Sequence, residues 1–511
     1  MAEAAPEEVP ARRLALSGFL AGGLTLSFLW AANRIEASVP FPPISLAERV
    51  IRLTPGDVAT FFIDSLGENA MRLLTAGSVL GFLAFFAMLP RVLVVTGPSR
   101  PYLAGGVVAV SSAAAALAAP MTPPLAATAA ASLGAGGLYA VSLAWLLEPG
   151  DARRLGVRAD PSRRRALALI AGAGAAFAVG GAVLGRIVRR LAGPNTDVAL
   201  RPPDEPALRP PPGAFPEVPG LSPRVTGVGE HYVVDIDLID PVVEAGGWTL
   251  AVRGRVDRPL DLGFADLQTR FTLVEESSVL VCISNPVGGD LVGSSNWTGV
   301  RLRDVLAAAG LREDAVEVVF RCADGYSASL PVSAALDPGV LLAIGQNGRP
   351  LAWEHGFPCR VRAPAFYGVK NAKWVEAVEV LGRPYDDYWT RRGWSETAVV
   401  RTQSRIDTVG DLPSAARPTW VAGVAWAGTR GVSRIEVSVD GGRSWVLASL
   451  AAPVSAVAWT RWAYRWTPER PGRYGVACRA ADGDGRLQDA VARPPHPSGA
   501  SGYHTVQVEV A

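Results

Sequence analysis

A single cysteine at the end of an apolar run is the first candidate for chemistry in this chain. Cys282 closes the run "SVLVC", and the residues after it, "ISNPVGGDLVGSSN", contain two glycine-bearing segments that leave the backbone accessible. Loops at strand ends commonly receive ligands. On this pattern alone the alternative also stays open, because a buried cysteine often serves only as a small apolar side chain of the core.

The only lysines of the chain form the second candidate. Lys370 and Lys373 lie in "YGVKNAKW", and every other basic side chain apart from histidine is an arginine. Arginine replaces lysine readily on a solvated surface, but not where a compact ammonium must reach an oxygen atom in a tight turn. Lys373 is the stronger candidate for such a phosphate contact. Lys370 is interpreted either as a second phosphate contact or as an exposed residue.

Short strands and few helices must position these residues. The runs "WTLAVRG", "SVLVCIS", "AVEVVF" and "CRVRAP" are typical of strands, and the spacing of Leu302, Val305 and Leu306 predicts a helix that ends at Gly310. We therefore expect an α+β catalytic domain over residues 225–394. From about residue 395 the pattern consists of strands separated by Asp-Gly and Pro-Gly turns, which predicts an immunoglobulin-like β-sandwich over 395–511.

The first 192 residues predict an α-helical membrane domain. Residues 14–32, 73–90 and 166–185 carry no charge, and the charge-free run 101–147 is interrupted by "PMTPP" at 120–124. These segments predict five membrane spans. The alternative, buried helices of a soluble protein, is disfavoured because a soluble helix normally keeps one polar face.

Arginine placement predicts the orientation of these spans. If the spans alternate, three arginine-bearing segments share one side: the N-terminus, the connection around Arg91 and Arg100, and "EPGDARRLGVRADPSRRR". This side is expected to be cytoplasmic, which places the later domains outside the cell membrane. Arginines at 186, 189 and 190 oppose this orientation. The segment "SRRRALAL" resembles a twin-arginine export signal, although the same arginines could simply fix the topology.

Other features of the sequence limit the partners. Residues 193–224 form a proline-rich linker, which predicts an extended segment. The net charge of +2 gives no indication of a nucleic-acid partner. The chain has no CxxCH motif, and its four histidines lie outside the predicted spans, so no haem is expected in this chain.

Five segments, in order, resemble the sulfite oxidase family of molybdopterin enzymes. They are "CISNPVGGDLVGSSNWTGVRLRDVL", "CADGYSASLP", "LLAIGQNG", "HGFPCRVRAP" and "YGVKNAKW". The segments "VAGVAWAG" and "VSVDGGRSW" resemble the dimerisation domain that follows the catalytic domain in that family. The resemblance covers about 225–511 and implies a cofactor of molybdopterin with molybdenum.

The resemblance also implies roles for individual residues. Cys282 would be both the catalytic residue and the one protein ligand of the metal, and a soft thiolate suits molybdenum. The residues that would bind the cofactor are Tyr232, Val233, Cys282, Asp324, His355, Arg360, Asn371, Ala372 and Lys373. His231, beside this set, is interpreted as a surface residue.

The chain departs from the family's pattern at two places. Asn285 is followed by Pro286 and Val287 where the family has arginines, and Ile344 stands where the family has a tyrosine. Buried anions are normally met by paired donors, so these changes disfavour sulfite. They favour a less charged oxygen donor or acceptor, such as a sulfoxide or an N-oxide.

Taken together, the sequence predicts a membrane-anchored extracytoplasmic oxidoreductase that performs two-electron oxygen-atom transfer on a small sulfur or nitrogen oxide. It requires a separate electron-transfer partner, either a cytochrome or a quinone-linked protein, and the sandwich is expected to pair two chains. A sulfoxide reductase of the cell envelope and a catalytically inactive binding or assembly module are the alternatives. Cys322, Cys359 and Cys478 have no assigned role, and a disulfide between two of them stays open.

Overall fold

A computed structural model describes residues 10–35, 39–54, 58, 62, 66, 69–93, 100–117, 125–147, 172, 198–209, 215–236, 240–410 and 413–511. The chain divides into two compact units. The first is Met1–Gly193 with Asp237–Ile239, and the second is Pro194–Ile236 with Asp240–Ala511.

The described part of the first unit includes five helices with defined bounds. They are α1 (Ala11–Ile35), α2 (Pro42–Leu53), α3 (Asn69–Val92), α4 (Arg100–Leu117) and α5 (Leu125–Leu147). Among the described residues, three segments are long and apolar enough to cross a membrane: Ala11–Arg34, Leu73–Val92 and Leu125–Leu147. The predicted third span corresponds to α4, which has 18 residues and is not among those three. The predicted fifth span, 166–185, lies outside the described residues apart from Gly172.

Small residues let the helices of this unit pack closely. A Cβ atom added to Gly105 of α4 would lie 2.5 Å from the carbonyl oxygen of Gly136 in α5, so only glycine permits this approach. The sequence interpretation missed α2, a short amphipathic helix with two prolines in its first turn. Its charged residues, Glu48, Arg49 and Arg52, excluded it from a search for uncharged spans.

The first half of the second unit contains two sheets. The first sheet has the order β2–β1–β10–β5–β6, in which β1 and β10 are parallel and the other pairs are antiparallel. The second sheet has the order β3–β4–β7–β8, and β9 also pairs with β7. The strands are β1 (Thr249–Gly254), β2 (Leu260–Gly263), β3 (Leu273–Val281), β4 (Val292–Arg301), β5 (Glu317–Cys322), β6 (Ser327–Pro331), β7 (Leu341–Gln346), β8 (Arg349–Pro350), β9 (Arg360–Arg362) and β10 (Val375–Leu381).

Three short helices accompany these sheets: α6 (Phe264–Thr269), α7 (Leu302–Ala309) and α8 (Val332–Ala335). The helix predicted from apolar spacing is α7, and it buries Leu302, Val305 and Leu306 in the core that both sheets share. It ends at Gly310, whose φ of 72° is a left-handed conformation that glycine adopts without strain. This prediction is confirmed.

The hairpin of β3 and β4 sets the position of the candidate cysteine. Val281 pairs with Val292, so residues 282–291 form the connecting loop and Cys282 is its first residue. A hydrogen bond from the Cys282 N–H to the Leu291 carbonyl, 3.0 Å long, closes the base of the loop. The cysteine is therefore held at a fixed strand end.

Two four-stranded antiparallel sheets form the C-terminal half of this unit. Their orders are β11–β12–β16–β15 and β14–β13–β17–β18. The strands are β11 (Gln403–Thr408), β12 (Thr419–Trp426), β13 (Val432–Ser438), β14 (Val446–Leu447), β15 (Ser449–Leu450), β16 (Thr460–Trp466), β17 (Gly472–Asp482) and β18 (His504–Val510). Both sheets contribute to one core, which includes Val421, Ile435, Trp462 and Val476.

The described part of the proline-rich linker belongs to the second unit and packs against its strands and helices. The Arg201 N–H donates to the side-chain oxygen of Gln268 at 2.7 Å, and Glu205 forms an isolated parallel bridge with Val274 of β3. The Thr226 N–H, just after the linker, donates to the Ser294 carbonyl of β4 at 2.7 Å. This segment thus braces the hairpin that carries Cys282.

All four cysteines are free thiols and all are buried. Cys322 and Cys359 belong to the core shared by the first two sheets, and Cys478 belongs to the core of the C-terminal sheets. The structure therefore contains no disulfide among the residues left unassigned by the sequence.

Candidate active site

Cys282 lies where three segments meet. Its side chain is 7% exposed, and its sulfur is 3.0 Å from the hydroxyl oxygen of Ser284. A Cβ atom added to Gly368 would lie 3.6 Å from the Cys282 Cα and 2.9 Å from the Tyr232 hydroxyl oxygen. Cys282, Tyr232 and Gly368 are therefore neighbours, although Tyr232 and Gly368 are 136 positions apart in the sequence.

The environment of Cys282 favours a metal-bound thiolate over a free one. Burial raises the pKa of the Cys282 thiol, while hydrogen bonds from the Ser284 hydroxyl and from nearby backbone N–H groups lower it again. A thiol in this setting keeps its proton until a metal ion replaces that proton. The loop supplies donors to the sulfur but no cationic side chain to stabilise a free thiolate there.

Tyr232 contributes a neutral phenol. Burial and the neighbouring Cys282 raise its pKa well above the usual value, so its hydroxyl group stays protonated and can donate a hydrogen bond. Val233, the next residue of the predicted set, is 44% exposed. The structure thus brings the Tyr232 side chain, but not that of Val233, into the buried cluster.

Arg360 of β9 is a buried cation that bonds only carbonyl oxygens. Its guanidinium donates to the His355 carbonyl at 3.0 Å and to the Asn371 carbonyl at 3.1 Å, and it lies over the Trp297 ring, 5.1 Å from the centroid. Its Nε atom has no hydrogen-bond partner among the described residues. Burial lowers its pKa to about 10, as expected of a charge removed from water.

Arg362 is a second buried arginine that the sequence interpretation missed. It is fully buried, donates to the Asn371 side-chain oxygen at 2.7 Å and to the Val279 carbonyl, and its Nε atom likewise lacks a partner among the described residues. Burial and the charge of Arg360 lower its pKa to about 9. The alternation "RVR" could have revealed it, because residues two apart in a strand share a face.

Two histidines lie beside these arginines. His355 is 2% exposed and its Nε2 atom is 2.8 Å from the Val228 carbonyl. His231 is 4% exposed, with its ring centroid 5.5 Å from that of His355 and 5.8 Å from that of Trp297. The interpretation of His231 as a surface residue is therefore wrong. Gly293 of β4 leaves room for the ring, since a Cβ atom there would lie 2.7 Å from it.

The turn that follows β9 uses Asn371 and Ala372 as structural groups. The Asn371 side-chain oxygen accepts from Arg362 and from the Ala363 N–H, each at 2.7 Å, and its amide nitrogen donates to the Tyr367 carbonyl at 2.9 Å. The Ala372 carbonyl accepts the Val361 N–H at 2.8 Å. Both residues thereby fix β9 and its two arginines.

Lys373 is nearly buried and paired. Its ammonium forms an ion pair with Asp235 and donates to the Glu354 carbonyl at 2.8 Å, and it lies 4.4 Å from the centroid of the Trp374 ring. Burial lowers its pKa, and Asp235 counteracts part of this shift. Lys373 thus contacts two segments: Asp235 belongs to the segment after Tyr232, and Glu354 belongs to the segment that carries His355.

Lys370 corrects one of the two alternatives left open by the sequence. It is 3% exposed, and its ammonium donates to a carboxylate oxygen of Asp387 at 2.6 Å. The interpretation of Lys370 as an exposed residue is therefore wrong. The sequence could not show this pairing, because Asp387 lies on a separate loop.

Asp324 stands in a tight turn before β6. It is 4% exposed, and one carboxylate oxygen accepts the Tyr326 N–H at 2.9 Å. The Tyr326 hydroxyl in turn donates to the Val369 carbonyl at 2.6 Å, next to Gly368. Asp324 is thus linked through Tyr326 to the turn that contains Gly368 and Val369.

Two structural residues mark the places where the chain departs from the family's pattern: Asn285, which precedes Pro286 and Val287, and Ile344. The Asn285 side-chain oxygen accepts the Leu291 N–H at 3.0 Å, which shapes the loop after Cys282. Ile344 is fully buried in the core shared by the first two sheets. Neither supplies a charged group.

The residues present fit an anionic, metal-bearing cofactor. None of the ion pairs among the described residues involves Arg360 or Arg362, so two buried positive charges stand without a bonded carboxylate. Buried charges are normally paired. In addition, one side-chain nitrogen each of His231, Arg360 and Arg362 is buried without a hydrogen-bond partner among the described residues. A pterin with its phosphate would supply the missing acceptors, and Cys282 would supply a soft ligand to molybdenum.

Family comparisons agree with this geometry. Residues 238–389 match the oxidoreductase molybdopterin-binding domain, and residues 395–492 match the Mo-co oxidoreductase dimerisation domain.

Curated relatives support the same assignment. The chain is 32% identical to chicken (Gallus gallus) sulfite oxidase over 344 residues, which is 57% of this chain and 75% of that enzyme. It is 32% identical to rat (Rattus norvegicus) mitochondrial sulfite oxidase, covering 43% of this chain and 47% of that protein. It is 30% identical to a barley (Hordeum vulgare) nitrate reductase [NAD(P)H], covering 49% of this chain and 33% of that protein.

A solved structure shares the fold. The sulfane dehydrogenase SoxCD of Paracoccus pantotrophus matches with a TM-score of 0.51 and 21% identity, over 58% of this chain and 86% of that chain. The match with the chicken enzyme covers three quarters of that protein at more than 30% identity. The chain therefore belongs to the sulfite oxidase family of molybdopterin-dependent oxidoreductases.

Proposed function

We propose that this oxidoreductase is anchored in the cell membrane and performs two-electron oxygen-atom transfer, outside the cytoplasm, on a small sulfur or nitrogen oxide other than sulfite. The observation that carries the proposal is Cys282, buried at the start of the β3–β4 loop. On β9, Arg360 and Arg362 are two buried arginines with no bonded carboxylate among the described residues, and Arg362 donates to the Val279 carbonyl of the strand that ends before Cys282. When bound, molybdenum in its pterin would supply the two-electron chemistry.

The chain's own residues divide the remaining tasks. Cys282 would hold the metal, and Arg360, Arg362 and His355 would hold the anionic part of the cofactor. Lys373, tied to Asp235, would fix the turn after β9 and would approach the phosphate. Tyr232 would place a neutral hydroxyl group beside the sulfur.

The choice of substrate rests on the groups around Cys282. The Asn285 amide is occupied within the loop, Ile344 is apolar and buried, and Pro286 and Val287 add no charge. A doubly charged anion would lack paired donors at these positions. A neutral or weakly charged oxide fits better, and the names of the relatives, which refer to sulfite, nitrate and sulfane, also point to small sulfur and nitrogen compounds.

A substrate screen on the purified full-length protein tests this choice. Sulfite, methionine sulfoxide, trimethylamine N-oxide and nitrate would each be assayed with a dye donor or acceptor, with Cys282→Ser as the control that removes the ligand. We expect the sulfoxide or the N-oxide to give the highest kcat/KM. Sulfite oxidation as the fastest reaction would contradict the proposal, and fast sulfoxide reduction would identify an envelope sulfoxide reductase.

We further propose the arrangement of the whole chain. It has five spans with a cytoplasmic N-terminus, a linker at 193–224, a catalytic domain at 225–394 and an immunoglobulin-like sandwich at 395–511. Three apolar helices support the membrane anchor, and the twin-arginine-like segment would serve export of the folded, cofactor-loaded domain. The match to a dimerisation domain supports a homodimer through the sandwich, and a separate cytochrome or quinone-linked protein would exchange electrons.

A further inference from the structure

Ser284 is the closest polar side chain to the candidate metal ligand. Its hydroxyl oxygen lies 3.0 Å from the Cys282 sulfur, and among the described residues this is the only hydrogen bond found for that hydroxyl group. Neither the sequence motifs nor the family matches single out Ser284. It follows the cysteine by two residues in the same loop.

The backbone around Ser284 is fixed on both sides. The Cys282 N–H donates to the Leu291 carbonyl at 3.0 Å, and the Asn285 N–H donates to the Cys282 carbonyl at 3.1 Å. The Leu291 N–H donates to the Asn285 side chain at 3.0 Å. The intervening Ile283 is 2% exposed and packs in a hydrophobic cluster. These contacts fix the loop and thereby hold the Ser284 hydroxyl group beside the Cys282 sulfur.

We propose that Ser284 is a positioning residue that donates a hydrogen bond to the Cys282 thiolate and thereby raises the reduction potential of the metal bound to it. The inference rests on the proposed role of Cys282 as ligand. A metal-bound thiolate carries no proton, so the hydroxyl group must be the donor in this pair. Charge-assisted hydrogen bonds of this kind are stronger than neutral ones.

The direction of the effect follows from electron donation. A hydrogen bond draws electron density from the sulfur and weakens its donation to the metal, which makes the reduced state easier to reach. Loss of the bond should shift the potential to more negative values. It should also move the thiolate-to-metal charge-transfer absorption to longer wavelength, because a more electron-rich sulfur gives up an electron at lower energy.

Two variants of the full-length holoenzyme separate the hydroxyl group from the rest of the side chain. Ser284→Ala removes the donor, and Ser284→Thr keeps it. Each variant would be titrated with redox mediators while the paramagnetic resonance signal of the half-reduced metal is followed, and the absorption spectrum would be recorded. Because this signal arises only from protein that contains molybdenum, partial loss of the metal does not alter the measured reduction potential.

We expect a negative shift of the potential and a red shift of the absorption band in Ser284→Ala, with Ser284→Thr close to wild type. An unchanged potential and spectrum in Ser284→Ala would overturn the inference, and so would equal shifts in both variants. These failures are distinct from failure of the proposed function, in which the wild-type protein would itself bind no molybdenum.

Discussion

At the scale of single residues, the site depends on charges held where water cannot reach them. Arg360 and Arg362 lie near the ring of Trp297, at 5.1 and 5.9 Å from its centroid. Burial lowers the pKa of both arginines, and the charge of Arg360 lowers that of Arg362 further. Such an arrangement is costly unless an anion is bound. The two arginines thus explain why the site would be specific for an anionic cofactor.

Lys373 provides a test of the interpretation that a compact ammonium is required at this position. Its ammonium reaches both Asp235 and the Glu354 carbonyl, and a Cβ atom on the neighbouring Gly356 would lie 2.9 Å from its side chain. The wider, planar guanidinium of Lys373→Arg is not expected to reproduce both contacts of the compact ammonium. We expect reduced molybdopterin content, measured by fluorescence of the oxidised pterin. Unchanged occupancy would remove this account of the lysine.

His231 predicts a pH dependence of stability. Burial, and then His355, lower the pKa of His231 to about 3, below its ordinary value of 6.5. As the pH falls, His231 therefore takes up a proton in the unfolded chain before it does so in the folded protein. The contribution of neutral His231 to the free energy of unfolding is complete above pH 6.5 and is lost progressively toward pH 3.

Urea unfolding at two pH values measures this contribution. Between pH 7 and pH 5, the free energy of unfolding of the wild type should fall by about 2 kcal/mol more than that of His231→Gln, which cannot titrate. Equal losses in the two proteins would show that His231 is not buried in a neutral form.

At the scale of elements, one ion pair joins the turn beside Cys282 to a separate loop. Lys370 ends the short helical turn that begins at Gly368, and Asp387 accepts from Lys370 and also from the Thr390 N–H at 3.0 Å. The pair is buried at both ends, with side chains 4% and 3% exposed. It is therefore expected to hold the turn against Tyr232 and Cys282.

Removal of one partner of the Lys370–Asp387 ion pair should destabilise the folded protein. Lys370→Met leaves the Asp387 carboxylate buried and unpaired, so we expect the free energy of unfolding to fall by about 3–5 kcal/mol. The double variant Lys370→Met with Asp387→Leu should recover most of that loss, because no buried charge remains. Chemical denaturation of the three proteins gives the comparison, and a single variant as stable as wild type would contradict it.

Local patterns could predict some of these elements and not others. The spacing of Leu302, Val305 and Leu306 specified α7, and the apolar run before Cys282 specified the strand that ends there, because both signals lie within a few residues. The partners of Lys370 and the burial of His231 depend on chain segments brought together by the fold. Local sequence carries no record of such contacts, which is why the interpretations of Lys370 and His231 as exposed residues are wrong.

At the scale of the whole molecule, the two units obey different constraints. The first unit packs small residues such as Gly105 and Gly136 between its helices, whereas the second unit buries one hydrophobic core that two of its sheets share. The comparisons cover the second unit, since the family matches begin at residue 238. The proposed orientation of the first unit therefore rests on arginine placement alone.

Reporter fusions test that orientation. Alkaline phosphatase is active only outside the cytoplasm, so a fusion after residue 224 should be active and a fusion after residue 157 should be inactive. A β-galactosidase fusion at the same two points provides the reciprocal control. The opposite pattern would place the catalytic domain in the cytoplasm and remove the proposed export route.

The central claim is that the Cys282 sulfur bonds to molybdenum, and X-ray absorption at the molybdenum edge measures this most directly. The purified wild-type protein should contain close to one molybdenum per chain, and the fitted number of sulfur neighbours should fall by one in Cys282→Ser. An identical sulfur count in the two proteins, or a wild-type protein without molybdenum, would contradict the account.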